Sequence, residues 1–314
     1  MEDKKDYKAI RYDHFGSVDV LKIEKLPKAI PQSDEILVRV KTAGINPGEA
    51  SIREGLLEKQ FPSKFPSGQG TDFAGIIEKV GAHITNFKTG DEVIGFSFNR
   101  NSQAEYVIVK EDQLIFRPPN VSWEIAGGMF VVGTTAYAAV ESVSLMKGET
   151  VIVSGAAGGV GSLVIQMAKK RGANVIGIAS ESNHPWLKKH GVIPVSYQKN
   201  LQQNLKKALN GNQAVAFIDT SGKGYVEIAI KMGISPKRID TIIDFQGAAK
   251  YKVKSEGSSV AGNAKVLKEI ANMVDSGELE IPIAKSYPFT QIKEAFKDLE
   301  QHHTHGKIIL DVSL

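Results

Sequence analysis

The stretch "VIVSGAAGGVGSLVIQMAKKRGANVIGIAS", Val151–Ser180, decides how this chain is read. A β-branched apolar run stops at a cluster of small residues, a helix-patterned segment follows, and a second apolar run closes the unit. Strand, glycine turn, helix and strand in step make one crossover of a doubly wound parallel sheet. Leu163, Val164, Met167 and Ala168 give the helix an apolar face, and Gly172 is placed to end it. The turn reads Ala156-x-Gly158-x-x-Gly161. In such turns the first small residue lets the chain leave the strand tightly, the second lets the backbone approach a pyrophosphate, and the third lets helix and strand pack closely. The helix N-terminus then presents unpaired N–H groups and a partial positive charge. We therefore expect Ala156, Gly158, Gly159, Val160 and Gly161 to bind a dinucleotide. A glycine-rich loop without a ligand is the competing reading, and the strand–helix–strand context argues against it.

The end of the second strand bears on which dinucleotide. Sites selective for the form without a 2′-phosphate place an acidic residue there, to accept from the ribose hydroxyls. Here the strand ends in Ala179 and Ser180, and a hydroxyl can donate to a 2′-phosphate. His184, Lys188 and Lys189 lie downstream, either near that phosphate or on a solvated helix face. The expected cofactor is NADP(H), with Ser180 as a ligand. Glu181 is the counter-candidate, because one residue of slippage would make it a ribose ligand.

Outward from this unit the texture changes twice. Before about Trp123, short apolar alternations are separated by Gly, Pro and Asn: "EILVRVKTAGIN" (Glu35–Asn46), "GIIEKVGAHI" (Gly75–Ile84), "DEVIGF" (Asp91–Phe96) and "AEYVIVK" (Ala104–Lys110). These read as strands of a partly open β-barrel, with Gly90 in a turn of positive φ. From Trp123 helical patterns alternate with short β-runs, which implies a parallel sheet covered by helices. After that, "TQIKEAFKDLEQ" reads as an amphipathic helix capped by Thr290, with Ile292, Ala295, Phe296 and Leu299 on one face, and "GKIILDVSL" as a closing strand. The tail resembles the first third, so we expect an α/β domain, 125–262, inserted into a β-rich domain of 1–124 and 263–314.

Composition narrows the function classes. The chain has 314 residues, of which 42% are hydrophobic and 24% charged, and no cysteine. That excludes a disulfide framework, a Cys-based zinc lobe and a cysteine nucleophile. The net charge of +4 is scattered, which argues against a nucleic-acid footprint. No apolar run reaches the length of a membrane span, and the charged start lacks the apolar core of a signal peptide, so a cytoplasmic protein is expected. Ser154 lacks the G-x-S-x-G spacing of an elbow nucleophile. In "HHTHG", His302–Gly306, three histidines at a helix end cannot all face one ion, and we expect no metal.

Together "AGINPGEASIREG", "FPSGQGTDFAGIIEKVGAHITNFKTGDEVIGF", "GTTAYAAV", "SGAAGGVGSLVIQMAK" and "HGKIIL" resemble, in order and spacing, the zinc-independent, quinone oxidoreductase-like branch of the medium-chain dehydrogenase/reductase superfamily. The resemblance implies a GroES-like barrel domain with an inserted Rossmann domain, the cofactor and substrate lying in the cleft between them. Zinc-dependent members carry a catalytic Cys and a His–Glu pair; here Thr71 and Asp72 stand at the latter. The branch pattern N-x-x-D-x-Y-x-R-x-G is met at Asn46, Arg53 and Gly55, while Glu49 replaces the aspartate and Ser51 the tyrosine.

The activity so implied is hydride transfer from NADPH to a quinone or an electron-poor alkene. Asn46 and Arg53 are the candidate catalytic residues; for Asn46 an Asn-Pro turn is the alternative. Carried over from the family, Thr135 lies near the nicotinamide, Tyr197 near the adenosine phosphate, and Gly306 and Lys307 where the tail passes the cofactor. Relatives of this kind are often dimers joined through their sheet edges. A non-catalytic NADP(H)-binding redox sensor or structural protein remains the alternative function.

Overall fold

The computed structural model describes residues 6–198, 200–301 and 304–313. The chain divides into two compact units. The first holds the described residues up to Val131, Asn263–Glu278, and the chain from Ile283 onward; the second holds Val132–Gly262 and Leu279–Pro282. The first division thus falls at 131/132 where 124/125 was expected, and the tail contributes a short piece to the second unit.

In the first unit β1 (Asp6–Tyr12), β2 (Lys22–Pro27), β3 (Glu35–Gly44), β4 (Ser67–Gly68), β5 (Asp72–Val80), β6 (Glu92–Phe96), β7 (Tyr106–Lys110) and β8 (Leu114–Phe116) are all antiparallel to their partners. The strand β3 organises them. One of its edges runs along β5 from Ile36↔Val80 to Thr42↔Ala74. The other is shared, Glu35–Arg39 pairing with β7 and Thr42–Gly44 with a strand from the end of the chain. A long strand divided between partners lets a sheet curl into a partly closed barrel. Its interior packs Ile36, Val38, Phe73, Ile77, Val107 and Val109. Three helices lie close to the polar residues of interest: α1 (Pro47–Arg53) directly after β3, then α2 (Trp123–Gly127) and α3 (Met129–Ser142). The helical run that begins at Trp123 breaks at Gly128. Gly127 is required by closeness, since a Cβ there would lie 2.3 Å from Thr42 Oγ1.

The second unit is a parallel sheet of β9 (Thr150–Ser154), β10 (Asn174–Ala179), β11 (Ile193–Ser196), β12 (Ala216–Asp219) and β13 (Ile239–Thr241), in the order β11-β10-β9-β12-β13. The order runs one way from β9 to β11 and the other way from β9 to β13, so the topological switch lies at the carboxyl end of β9. Helix α4 (Gly159–Lys170) follows β9 and stops where Gly172 takes φ +78°. Ile152, Ile176, Ile178, Phe217 and Ile239 fill the core beneath its sheet. The tail segment Leu279–Pro282 is held through Gln166 of α4, which donates to Glu280 O and accepts from Glu280 N, each at 2.8 Å.

The chain closes with β14 (Ile283–Pro288) and β15 (Lys307–Asp311), which pair in parallel and join the first unit's sheet at β3. Between them the helix Ile292–Glu300 buries Ile292, Ala295, Phe296 and Leu299. Thr290 does not cap it: Phe289–Gln291 form a 3₁₀ turn and Gln291 is the N-cap.

Candidate functional site

At the switch point the glycines divide their roles differently from expectation. The left-handed residue is Gly155, at φ +61°, one position before the small residue assigned that role. Ala156 is therefore free to be alanine. It is fully buried, and its methyl packs on Gly177 of β10, where an added Cβ would lie 2.9 Å away. Gly158 is the N-cap of α4, with extended backbone, and a Cβ on it would meet only Gly155 O at 3.3 Å; its outer face is open. Gly161 closes the inner face, since a Cβ there would lie 2.1 Å from the same carbonyl. Gly159 and Val160 are half-buried at the helix start. By helix geometry the N–H groups of Gly159, Val160 and Gly161 come before any intrahelical acceptor, whereas Ser162 N already bonds Gly158 O at 2.9 Å. An open backbone face with free N–H groups at a twelve-residue helix suits an anionic phosphate.

Around the turn, β10 pairs with β11 through Ala179↔Ser196, so Ser180 and Tyr197 are the next residues on adjacent strand ends. Ser180 is half-buried; its hydroxyl accepts from Asn183 Nδ2 at 2.9 Å and lies 3.0 Å from Ser182 Oγ. Tyr197 is 41% exposed. Glu181 opens a 3₁₀ turn beyond the strand and is exposed. This end of the sheet presents hydroxyls and an amide, a set that suits a 2′-phosphate. Thr135, in the second unit's part of α3, is 6% exposed and lies beside Gly257.

Under the turn lies a cluster that sequence reasoning missed. Asp219 ends β12, and its carboxylate accepts from Ser154 Oγ (2.5 Å), Thr241 Oγ1 (2.8 Å), Gly222 N (3.0 Å) and Ser221 N (3.1 Å). No local motif announces it, since Ser154 and Asp219 are 65 residues apart. Burial raises the Asp219 pKa, and these donors act against the rise.

The first unit holds a second polar cluster, centred on Asn46. The Asn46 amide Nδ2 donates to Glu49 Oε1 and Asp72 Oδ2, both at 3.1 Å, and its Oδ1 accepts from Lys307 Nζ at 2.7 Å. Asn46 is 4% exposed and both amide hydrogens are used. The expected catalytic residue Asn46 is thus the hinge of an internal network. Glu49 accepts from Asn46 N, Asn46 Nδ2, Thr71 N and Gln103 Nε2, all at 3.1 Å. Burial first, and then the charge of Asp72, push Glu49 up to about 7, while the Asn46 donors and Lys307 hold it down. Asp72 accepts from Val131 N at 2.8 Å, and burial raises its pKa too.

Two other expected site residues lie in or near this network. Lys307 is 3% exposed; its ammonium donates to Ile45 O and Asn46 Oδ1, each at 2.7 Å, and lies 3.7 Å from Asp72 Oδ2, so it serves the Asn46 network. Arg53 is wholly buried: it bonds Gly16 O at 3.3 Å and Glu300 at 2.9 Å, and lies 5.1 Å from the Phe296 ring centre. It clamps α1 to the helix Ile292–Glu300. Gly306, at φ +88°, turns the chain into β15. His302 and His303 lie outside the described residues.

The donor set around Asn46 does not fit zinc. The position offers two amides, a threonine and two carboxylates, without cysteine or histidine, and the Lys307 ammonium already sits beside one of those carboxylates, that of Asp72. Among the described residues no helix is long and apolar enough to cross a membrane.

Comparison with known proteins agrees with this geometry. A family profile described as "Alcohol dehydrogenase GroES-like domain" matches residues 32–120, and two described as "Zinc-binding dehydrogenase" match 159–249 and 207–310. The chain is 30% identical to a 2-methylene-furan-3-one reductase of Solanum lycopersicum, over 97% of this chain and 79% of that one. It is 28% identical to the chloroplastic NADPH-dependent alkenal/one oxidoreductase of Arabidopsis thaliana, covering 98% and 80%. Among solved structures, the quinone oxidoreductase of Coxiella burnetii superposes with a TM-score of 0.87 at 28% identity, covering 98% of this chain and 100% of that one. A barrel unit, a doubly wound unit and a polar cluster without cysteine define the zinc-independent class of this superfamily. The chain belongs to the medium-chain dehydrogenase/reductase superfamily, in its quinone oxidoreductase-like branch.

Proposed function

We propose that the protein is an NADPH-dependent reductase that delivers hydride to a quinone or an electron-poor alkene conjugated to a carbonyl. The observation that carries the reading is the turn at Gly155–Gly161: one open glycine face, one closed, and free N–H groups between them. Relatives named as reductases of alkenals, furanones and quinones support the substrate class. When bound, the nicotinamide supplies the hydride. The chain's own part is to seat the pyrophosphate on Gly158, Gly159, Val160 and Gly161, with Ala156 closing the turn from behind. Ser180 and Tyr197 receive the phosphorylated ribose, and Thr135 and Gly306 complete the cofactor contacts.

The second unit, expected from the sequence as 125–262, is taken as the cofactor-binding domain, and the first, expected as 1–124 with 263–314, as the barrel domain. The reading extends to a cytoplasmic homodimer, for which the edge of the parallel sheet at β11 is an available template, the β13 edge being paired with Lys254 of the same chain. Light scattering with chromatography tests the dimer.

The function is tested by titrating the protein with NADPH and with NADH, then following NADPH oxidation against a panel of quinones and enones. Tighter NADPH binding and acceleration by at least one acceptor are expected. Binding without turnover on any acceptor would favour the non-catalytic alternative, and preference for NADH would move the ribose contact to Glu181.

A further inference from the structure

We propose that Thr220, backed by Ser154 and Asp219, is a positioning residue for the cofactor's pyrophosphate. The proposal rests on the cofactor reading above and deepens it. The turn is rich in glycine, and glycine loses more conformational freedom on being fixed than any other residue. A turn left loose in the free protein would have to be ordered at the expense of cofactor affinity. The structure shows what holds it.

Thr220, the residue after β12, donates its hydroxyl to Ser154 O at 2.7 Å, with Gly155 O at 3.4 Å on the same hydrogen. Those are the carbonyls on either side of the left-handed Gly155. Gly155 O also accepts from Gly158 N at 2.9 Å, and Ala156 N donates to Ile178 O at 3.0 Å. With the carbonyls drawn down to the sheet, the peptides that lead into α4 have one orientation.

Thr220 is itself held from below. Its N–H donates to Ser154 Oγ at 3.1 Å, and that hydroxyl donates onward to Asp219 Oδ1 at 2.5 Å. Ser154 thus has its donor and an acceptor position both in use. Asp219 Oδ2 takes the Thr241 hydroxyl, so one carboxylate ties the carboxyl ends of β9, β12 and β13. The Ser221 and Gly222 N–H groups are consumed by Asp219 and do not face a ligand. Only the Thr220 hydroxyl reaches the glycine turn from this cluster. Because Thr220 is half-buried and a Cβ on Gly155 would come 2.7 Å from its Oγ1, hydroxyl and turn are in close contact.

The test compares Thr220→Val and Thr220→Ser with the wild type, reading the NADPH dissociation constant, the KM for NADPH, the KM for the acceptor, kcat and Tm. Valine keeps the shape and removes the hydroxyl; serine keeps the hydroxyl and removes the methyl. Thr220→Val is expected to raise the NADPH dissociation constant and KM about tenfold, the loss of one well-placed hydrogen bond, with kcat, acceptor KM and Tm near wild type. Thr220→Ser is expected to bind NADPH within about twofold of wild type. Valine binding as tightly as wild type would overturn the proposal, and so would serine losing as much as valine, because packing of the methyl would then be the cause. If the valine variant does not fold, Ser154→Ala, which withdraws the support of Thr220 N–H and one donor from Asp219, replaces it: a lower Tm with the same rise in the NADPH dissociation constant is expected, and NADPH binding as tight as wild type would overturn the proposal. A wild type that does not bind NADPH at all would remove the cofactor reading together with this one; normal wild-type binding with an unaffected variant removes only this one.

Discussion

The two units bury carboxylates in opposite ways. In the first, Glu49 and Asp72 share a buried site with one ammonium, that of Lys307, and the formal charges sum to minus one. In the second, Asp219 has no cation beside it among the described residues: two hydroxyls and two backbone N–H groups surround it. A buried charge is tolerable when its lone pairs are filled, and both solutions fill them. They differ in how they fail. Removing a cation leaves uncompensated charge, whereas removing one hydroxyl leaves a carboxylate with most of its donors.

The largest expected effect comes from the first arrangement. Lys307→Met leaves Glu49 and Asp72 facing each other, and breaking a buried pair from one side costs about 3–5 kcal/mol. Denaturant unfolding near neutral pH should show that loss. It should shrink as pH falls through about 7, where Glu49, raised by burial, takes up a proton and the uncompensated charge falls. A loss independent of pH would show that Lys307 matters by packing alone.

The second arrangement predicts a milder outcome. In Asp219→Asn the amide oxygen can keep the three donors on Oδ1, and only the Thr241 hydroxyl must reverse to face the new NH₂. The expected loss is about 1–2 kcal/mol by the same unfolding measurement. If Asp219→Asn proved as damaging as Lys307→Met, the contrast between cation-dependent and donor-dependent burial would fail.

The same contrast separates what the chain discloses from what it hides. The strand–turn–helix around Gly158 is local, its spacing carries the physics, and it was legible, as were the barrel strands and the apolar face of Ile292–Glu300. Even there the pattern misplaced one role. The left-handed residue is Gly155, because φ is set by the path out of β9 and not by the motif's first letter. The polar clusters were hidden because sheet topology makes them. Lys307 reads as a strand-end charge until β15 is seen to pair with β3 through Ile309↔Gly44, which places it beside Asn46. Arg53 fits a family pattern by letter, yet a partner 247 residues away takes its guanidinium into the core. Asp219 and Thr220 carry no signal at all, since their partners are on another strand and the serine before the glycines looks like an ordinary loop residue.

The comparison is sharpened by a third buried acid that neither solution reaches. Asp240 in β13 is fully buried; its Oδ1 accepts from Glu256 N at 2.8 Å, and its Oδ2 has no partner among the described residues. Burial foremost, with Glu256 and Asp219 adding to it, raises its pKa to about 7, against the pull of Lys254 and of the Glu256 N–H. A carboxyl with a raised native pKa holds a proton that the unfolded chain has already released, so its contribution to stability is complete below the unfolded value of 3.8 and is lost as pH rises through about 7. Asp240→Asn imitates the protonated form: the amide oxygen still accepts from Glu256 N, and nothing ionises. The variant should therefore match wild type near about pH 4 and exceed it by roughly 1–3 kcal/mol above about pH 7.5, the usual penalty of an unsatisfied buried group. Unfolding curves of both proteins across this range decide it, Glu49 adding the same slope to each. An equal offset at every pH would mean that Asp240 is paired after all, and that this strand end satisfies its charge as fully as Asp219 does.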